Sequence, residues 1–251
     1  MFNHDHLLSF AKEAVQLALK SLENIGTAVP EYKFADDLPR EVKATADLVL
    51  DGEIICRLAT TGIPVLSEES GEHESMTSTS LKWVVDPLDG TVNYVRELAP
   101  CAVSIALYEG ESPIFGVIGE YPTSRLAWGG PSIGAFIDDH PVRVSSISKK
   151  NKAILCTGFP SRFDFDGEGA MDFMIRMREY CKVRMLGSAS LSLMQLAKGS
   201  ADAYSEQDIM IWDVAAGLAI VEGAGGSINI SAGRYVHSFN IFASNGLLQP
   251  D

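Results

Sequence analysis

Trp83–Tyr94 reads WVVDPLDGTVNY, an apolar run that stops at two aspartates with a proline between them and Gly-Thr behind. Val84 and Val85 have the character of a buried strand end. A residue before proline is pushed out of the helical region, so Asp86 stays extended. Pro87 has no N–H to donate, and Gly90 tolerates a tight turn. Such a turn carries the Asp86 and Asp89 side chains to one side, with the Leu88 carbonyl between them. Gly90 and Thr91 then offer backbone N–H groups that suit a phosphate. Two carboxylates about 4 Å apart repel by roughly 4 kcal/mol at an effective dielectric of 20. One of them keeps its proton unless a hard divalent cation with oxygen ligands sits between. Taken alone, DPLD also reads as a plain Asp-Pro turn capping a strand.

Two further segments share the design. VLSEES ends a strand-like run at Glu68 and Glu69, and IMIWDVAAG places Asp213 after an apolar run at the start of a helix. Separately, Glu68 reads as a solvated loop charge and Asp213 as an ordinary N-cap. Together they are three apolar runs that stop at carboxylates, and strand ends on one sheet edge converge where sites often sit.

The chain has 251 residues, 46% of them hydrophobic, and a formal net charge of −13. That length buries a sizeable core. The charge argues against nucleic acid or an anionic membrane as partner. An acidic protein acting on an anionic substrate needs metal cations to reverse the local sign. Cys56, Cys101, Cys156 and Cys181 lack CxxC spacing and read as reduced core thiols of a cytoplasmic chain. The start MFNHDHLLSF has no basic n-region, and no apolar run approaches a membrane span.

Hydrophobic spacing predicts an amphipathic helix over 5–24, a loop over 26–46 and a second helix after Asp47. Strand-like runs follow at 63–67, 81–85, 102–108, 113–119, 134–138 and 142–145, which looks largely antiparallel. Beyond residue 150 strands at 153–158, 182–186 and 201–206, then INI and NIFAS, alternate with helices at 168–180, 190–198 and 213–224. The expected organisation is an N-terminal α+β half, 1–150, carrying most of the candidate metal ligands, and a C-terminal α/β half, 151–251, carrying Asp213 and the substrate-side residues. Both belong to one layered α/β architecture.

PVLSEES, WVVDPLDGTVNY and WDVAAG, in this order, resemble the inositol monophosphatase family of metal-dependent phosphatases. The likeness spans nearly the whole chain. GGPSIGAFIDDHPVRVS (129–145) is similar to that family's Gly-rich hairpin, and GSASLSLMQLAKGSADAY (187–204) to its substrate-side helix and strand. The resemblance implies an α+β fold layered as an αβαβα sandwich, with a larger antiparallel sheet in the first half and a smaller mixed sheet in the second. It implies two to three Mg2+ ions. Glu68, Asp86 and the Leu88 carbonyl would hold one, and Asp86, Asp89 and Asp213 a second. A third, weaker ion would share Glu68. The Gly90 and Thr91 amides would bind phosphate, while Asp47 and the Thr91 hydroxyl orient the attacking water. Gly187, Ser188, Ala189 and Glu206 would face the alcohol. Lithium inhibition and a homodimer are further implications.

KATAD has Ala44 where the family usually has Thr, which leaves Asp51 as a fallback for Asp47. Lys33 or Lys43 stands where the family tends to place a lysine near the third metal. The expected reaction is Mg-dependent hydrolysis of a small polyol or sugar phosphate such as inositol monophosphate. Histidinol phosphate, fructose 1,6-bisphosphate and a 3′-phosphorylated nucleotide are the alternatives. A nucleotide pocket calls for aromatic or basic residues near 159–180, where Arg162, Arg176 and Arg178 lie. Outside the class stand a catalytically silent metal or phosphate binder and a Ca2+-buffering structural protein. His4, His6, His73, His140 and His237 show no ligand spacing.

Overall fold

The structure, a computed structural model, describes residues 3–25, 32–34, 42–75, 79–98, 100–161, 163, 165 and 168–250. Its helices are α1 (His4–Ile25), α2 (Thr45–Ala59), α3 (Thr91–Val95), α4 (Glu168–Glu179), α5 (Ala189–Ala197) and α6 (Ile211–Gly223). A short antiparallel pair, β1 (Tyr32–Phe34) and β2 (Val42–Ala44), precedes α2. The larger sheet contains β3 (Val65–Ser67), β4 (Gly71–His73), β5 (Leu81–Asp89), β6 (Cys101–Glu109), β7 (Ser112–Tyr121), β8 (Arg125–Gly130), β9 (Gly134–Ile137) and β10 (His140–Pro141). The smaller contains β11 (Ile154–Thr157), β12 (Lys182–Arg184), β13 (Ala203–Met210), β14 (Ser227–Ala232) and β15 (Ser238–Ser244).

Strand order in the larger sheet is β10-β9-β8-β7-β6-β5-β3-β4, and every neighbour is antiparallel except β3 with β5. The sheet is thus largely antiparallel, as the sequence predicts, with one parallel pair. The smaller sheet, β12-β11-β13-β15-β14, is mixed as expected: β11 runs parallel to β12 and β13, and β15 antiparallel to β13 and β14.

The period of two sorts each strand between layers. Trp83, Val85, Val103, Ile105 and Leu107 face the core shared with α1 and α2. Val84, Ala102, Ala106 and Tyr108, on the opposite face, join the core around α5 and α6. Tyr204 and Ile209 of β13 reach that same core from the smaller sheet, while Ala203 points outward to Leu155, Tyr180 and Leu248. Helix α4 reaches this outer side through Arg176, whose Nη1 donates to Ser205 Oγ at 2.6 Å. The result is the αβαβα sandwich. Within it α6 lies directly on β7, because a Cβ at Gly116 would stand 2.2 Å from the Ala216 carbonyl oxygen.

Helix α1 buries Leu7, Ala11, Ala14, Val15, Ala18 and Leu22, the stripe its spacing predicts, and Asn3 Oδ1 accepts the Asp5 N–H at 3.0 Å. Several boundaries differ from expectation. Helix α2 begins at Thr45 rather than after Asp47, since Asp47 acts in its first turn by accepting the Ala44 N–H. The expected loop over 26–46 holds β1 and β2; residues 26–31 and 35–41 lie outside the described residues, as does Arg162. The run 142–145 is not a strand. It peels off the sheet, with Val142 N–H bonding Ala135 O and Val144 N–H bonding Ala224 O beyond α6. Strand β8, RLAWGG, was not expected, and β13 continues four residues past Glu206. Cys101 and Cys156 are buried, but Cys56 and Cys181 are exposed, against the reading of all four as core thiols. No described helix is long and apolar enough to cross a membrane.

Candidate active site

Strand β5 pairs regularly with β6 up to Asp86, opposite Ser104; then the register slips, and Asp89 stands opposite Ala102. Three steps on β5 therefore span two on β6, a bulge. Residues three apart normally point to opposite faces of a strand. The extra residue returns Asp89 to the face of Asp86, the one that Val84 shares with α6. Beside them, β3 runs parallel to β5, and the Glu68 N–H bonds Val85 O at 3.2 Å. Asp213 enters from the first turn of α6. One carboxylate oxygen each from Glu68, Asp86 and Asp213 lies within 4.8 Å of the other two.

The Leu88 N–H donates to Asp86 Oδ1 at 2.9 Å and fixes that carboxyl in an Asx turn. Asp86 Oδ2 is buried and has no hydrogen-bond partner. Three charged carboxylates at this spacing repel by about 3 kcal/mol per pair. Burial first, then the charge of Glu69, pushes Glu68 up to about 8. Burial and the neighbouring carboxylates hold Asp86 and Asp213 well above the usual carboxylate range. An orphaned buried oxygen among hard oxygen donors fits a hard divalent cation.

Asp89 is turned differently. Its Oδ2 accepts from Ser188 Oγ at 2.6 Å and from the Ser190 N–H at 2.7 Å, and Oδ1 accepts a longer bond, 3.3 Å, from the Ala189 N–H. It thus satisfies the orphan donors at the start of α5, where Ser188 is also the N-cap. Burial raises Asp89, while these donors pull the other way. Sequence reading placed Ser188 and Ala189 beside the substrate; both meet Asp89. Gly187 has φ +74, with the Asn93 amide filling the place of a Cβ, and Asn93 Nδ2 donates to Leu186 O at 2.8 Å. Gly90, at φ +92, packs against the Gly187 carbonyl. The turn after β5 and the turn before α5 are therefore joined.

On the other flank, Thr91 Oγ1 lies 3.2 Å from Asp47 Oδ1 and 3.1 Å from the Leu88 carbonyl. Asp47 Oδ2 accepts the Ala44 N–H at 2.5 Å, a bond that needs no hydroxyl on residue 44. Burial raises Asp47 to about 7 against the pull of that bond. Asp51, the fallback, accepts from Ser67 Oγ and pins the end of β3 to α2. Lys43 Nζ pairs with Glu69 Oε2 at 3.0 Å, whereas Lys33 is exposed on β1.

Glu206 lies on β13, close enough to Asp89 to feel its charge. Tyr204 donates to its Oε2 at 2.8 Å, and burial lifts it to about 7 with help from the charge of Asp89. A Cβ on Gly158, just past β11, would stand 2.7 Å from that carboxylate. Next to Gly158 begins a feature that sequence reading missed. Phe159 packs on Phe163, Phe165 and Phe173, with ring centroids 4.7, 4.9 and 4.4 Å away. Their irregular spacing carries no helix or strand period, but three phenylalanines within FPSRFDF were a visible signal.

The sequence matches the inositol monophosphatase family over residues 6–250. It is 35% identical over 226 residues to an inositol-1-monophosphatase of Caulobacter vibrioides, covering 83% of this chain and 86% of that protein. A Nus factor SuhB of Xylella fastidiosa is 32% identical over 225 residues, covering 88% and 79%. The solved inositol monophosphatase of Anabaena superposes with a TM-score of 0.83 at 30% identity, covering 98% of this chain and 93% of that one.

Proposed function

The chain belongs to the inositol monophosphatase family, and from that premise we propose that it is a Mg2+-dependent phosphomonoesterase acting on a small polyol or sugar phosphate. The observation that carries this reading is the buried, unpartnered Asp86 Oδ2 beside Glu68 and Asp213. Those three residues, Asp89 and the Leu88 carbonyl would hold two to three divalent cations. When bound, such ions would neutralise the phosphate, acidify water and stabilise the leaving oxygen.

The chain's own groups do the rest. Thr91 Oγ1 has a single proton to give, and Asp47 Oδ1 stands within reach. Giving it there leaves the oxygen's lone pairs free to accept from water. Asp47 Oδ1 is placed to take that proton. The amides at Gly90 and Thr91 receive phosphate oxygens as the strand turns into α3. Asp89 holds the start of α5 so that Gly187 borders the pocket. Glu206 accepts a hydroxyl of the alcohol, and Tyr204 fixes which oxygen it presents. A homodimer fits the family resemblance.

One relative bears the name Nus factor rather than an enzyme's, which favours a second reading: a protein that keeps the pocket without turnover. Release of inorganic phosphate from inositol 1-phosphate, with Mg2+ and with chelator, separates the two. Release that needs Mg2+ supports the hydrolase. Mg2+ binding without release favours the silent binder.

A further inference from the structure

WVVDPLDGTVNY holds one side-chain amide, Asn93, which the chemistry above does not use. Asn93 lies in α3, and its Nδ2 donates to Leu186 O at 2.8 Å and to Pro100 O at 2.9 Å. An amide nitrogen has two protons, and both are committed here. Two carbonyl acceptors also settle which end of the amide is nitrogen. Pro100 leads into β6, and Leu186 lies between β12 and α5. Three stretches of chain therefore meet at one side chain. The joint has no slack. A Cβ on Gly187, at φ +74, would stand 2.9 Å from both Nδ2 and Oδ1 of Asn93. A Cβ on Gly90, at φ +92, would stand 3.0 Å from the Gly187 carbonyl oxygen and 3.3 Å from Cys101 Cβ. Both turns need a positive φ and an approach closer than a methyl allows. One side of the joint carries the Gly90 and Thr91 amides assigned to phosphate; the other carries Gly187, on the alcohol side. With both protons on main chain, Asn93 has none for a substrate, so it acts through the turns it holds.

We propose that Asn93 is a positioning residue, which fixes the spacing between the phosphate turn and the alcohol-side turn and so keeps the ester oxygen in line with the attacking water. This rests on the phosphatase reading above and deepens it. In the reaction, water oxygen bonds to phosphorus as the bond from phosphorus to the ester oxygen breaks. The departing oxygen takes a proton, leaving inorganic phosphate and the alcohol. A misplacement of the alcohol raises the barrier although phosphate itself still binds. An alkyl alkoxide leaves poorly and depends on that alignment. p-Nitrophenolate spreads its charge into the ring and leaves without it.

The test measures kcat and KM with Mg2+ for inositol 1-phosphate, glycerol 2-phosphate and p-nitrophenyl phosphate, together with competitive inhibition by inorganic phosphate. Asn93→Ala removes both bonds. Asn93→Asp keeps the shape but turns a carboxylate toward two carbonyl oxygens, so a rigid filler is present and the pin is not. Each variant should lower kcat for the alkyl esters by roughly 10- to 100-fold and for p-nitrophenyl phosphate by less than about threefold. The inhibition constant of inorganic phosphate should stay within about twofold of the parent's. Gly187→Ala, which drives a methyl onto the same amide, should give the same split between alkyl and aryl esters and reads the joint if Asn93→Ala does not fold. An equal fall on alkyl and aryl esters, or phosphate inhibition weakened in step with kcat, overturns the proposal while leaving the phosphatase intact. Parent-like rates in Asn93→Asp overturn it too. No turnover of any ester by the unaltered protein refutes the hydrolase itself.

Discussion

Asp86→Asn separates what the carboxylate cluster does for stability from what it does for binding. In the metal-free protein Asp86 shares its space with Glu68 and Asp213, all within 4.8 Å, at about 3 kcal/mol for each charged pair. Glu68 already sits near 8, so at neutral pH protonation relieves part of that repulsion. About 1–3 kcal/mol remains recoverable. Asparagine keeps the oxygen that accepts the Leu88 N–H at 2.9 Å and puts an NH2 where Oδ2 now has no partner. That NH2 can donate to Glu68 or Asp213. The chelator-treated variant should therefore melt about 3–10 °C above the parent. It should also lose the Mg2+-dependent rise in melting temperature and Mg2+-dependent phosphate release. Thermal unfolding with chelator and with a Mg2+ titration reads both effects. A lower melting temperature in chelator, or a Mg2+ shift equal to the parent's, would refute the reasoning.

Asp89→Asn should behave in the opposite way. Asp89 Oδ2 accepts from Ser188 Oγ and the Ser190 N–H, and Oδ1 from the Ala189 N–H, so an amide NH2 in place of either oxygen faces a donor and should cost about 1–3 kcal/mol in urea unfolding; a variant as stable as the parent contradicts the geometry. The metal-free protein should lose stability as pH rises. Glu206 and Glu68 go from 4.5 to about 7 and about 8 on folding. Between roughly pH 4.5 and 8 the folded state thus binds protons that the unfolded state has released, and stability falls with pH. Glu206 alone contributes about 3 kcal/mol to that fall, so melting in chelator should be higher at pH 5 than at pH 8.5, and the reverse order would sink the claim. Gly158→Ala should crowd Glu206 and raise KM for the alcohol phosphate by about tenfold, with kcat reduced less. An unchanged KM would place Glu206 outside the substrate's reach.

Much of the site was legible because its parts lie at the ends of apolar runs. Val84-Val85-Asp86 announced both a strand and where it stops, and Pro87 and Gly90 announced the turn. The bulge that places Asp89 on the same face as Asp86 was not legible, since it exists only in register with β6. Nor was the grip of Asp89 on α5, which joins residues about a hundred positions apart. Helix α2 was started late because Asp47 looked like a boundary, whereas its carboxylate caps the preceding N–H from inside the first turn. Strand β8 hid behind Gly129, Gly130 and Pro131. VRVS looked like a strand, but its backbone partners are a hairpin on one side and the end of α6 on the other. The phenylalanines escaped because ring clusters on loops have no period to detect.

The contact between Gly116 and Ala216 determines where variation is tolerated. Main chain rests on main chain there, so no side chain can be trimmed or enlarged to retune the spacing, and even one methyl would lever α6 outward and take Asp213 with it. The distance of α6, which carries Asp213, from the sheet whose strand β5 carries Asp86 is in that sense hard-wired. Adaptation to a new alcohol must then come from the periphery, through the segment after Gly158 and the outer turns, while the acidic centre stays put.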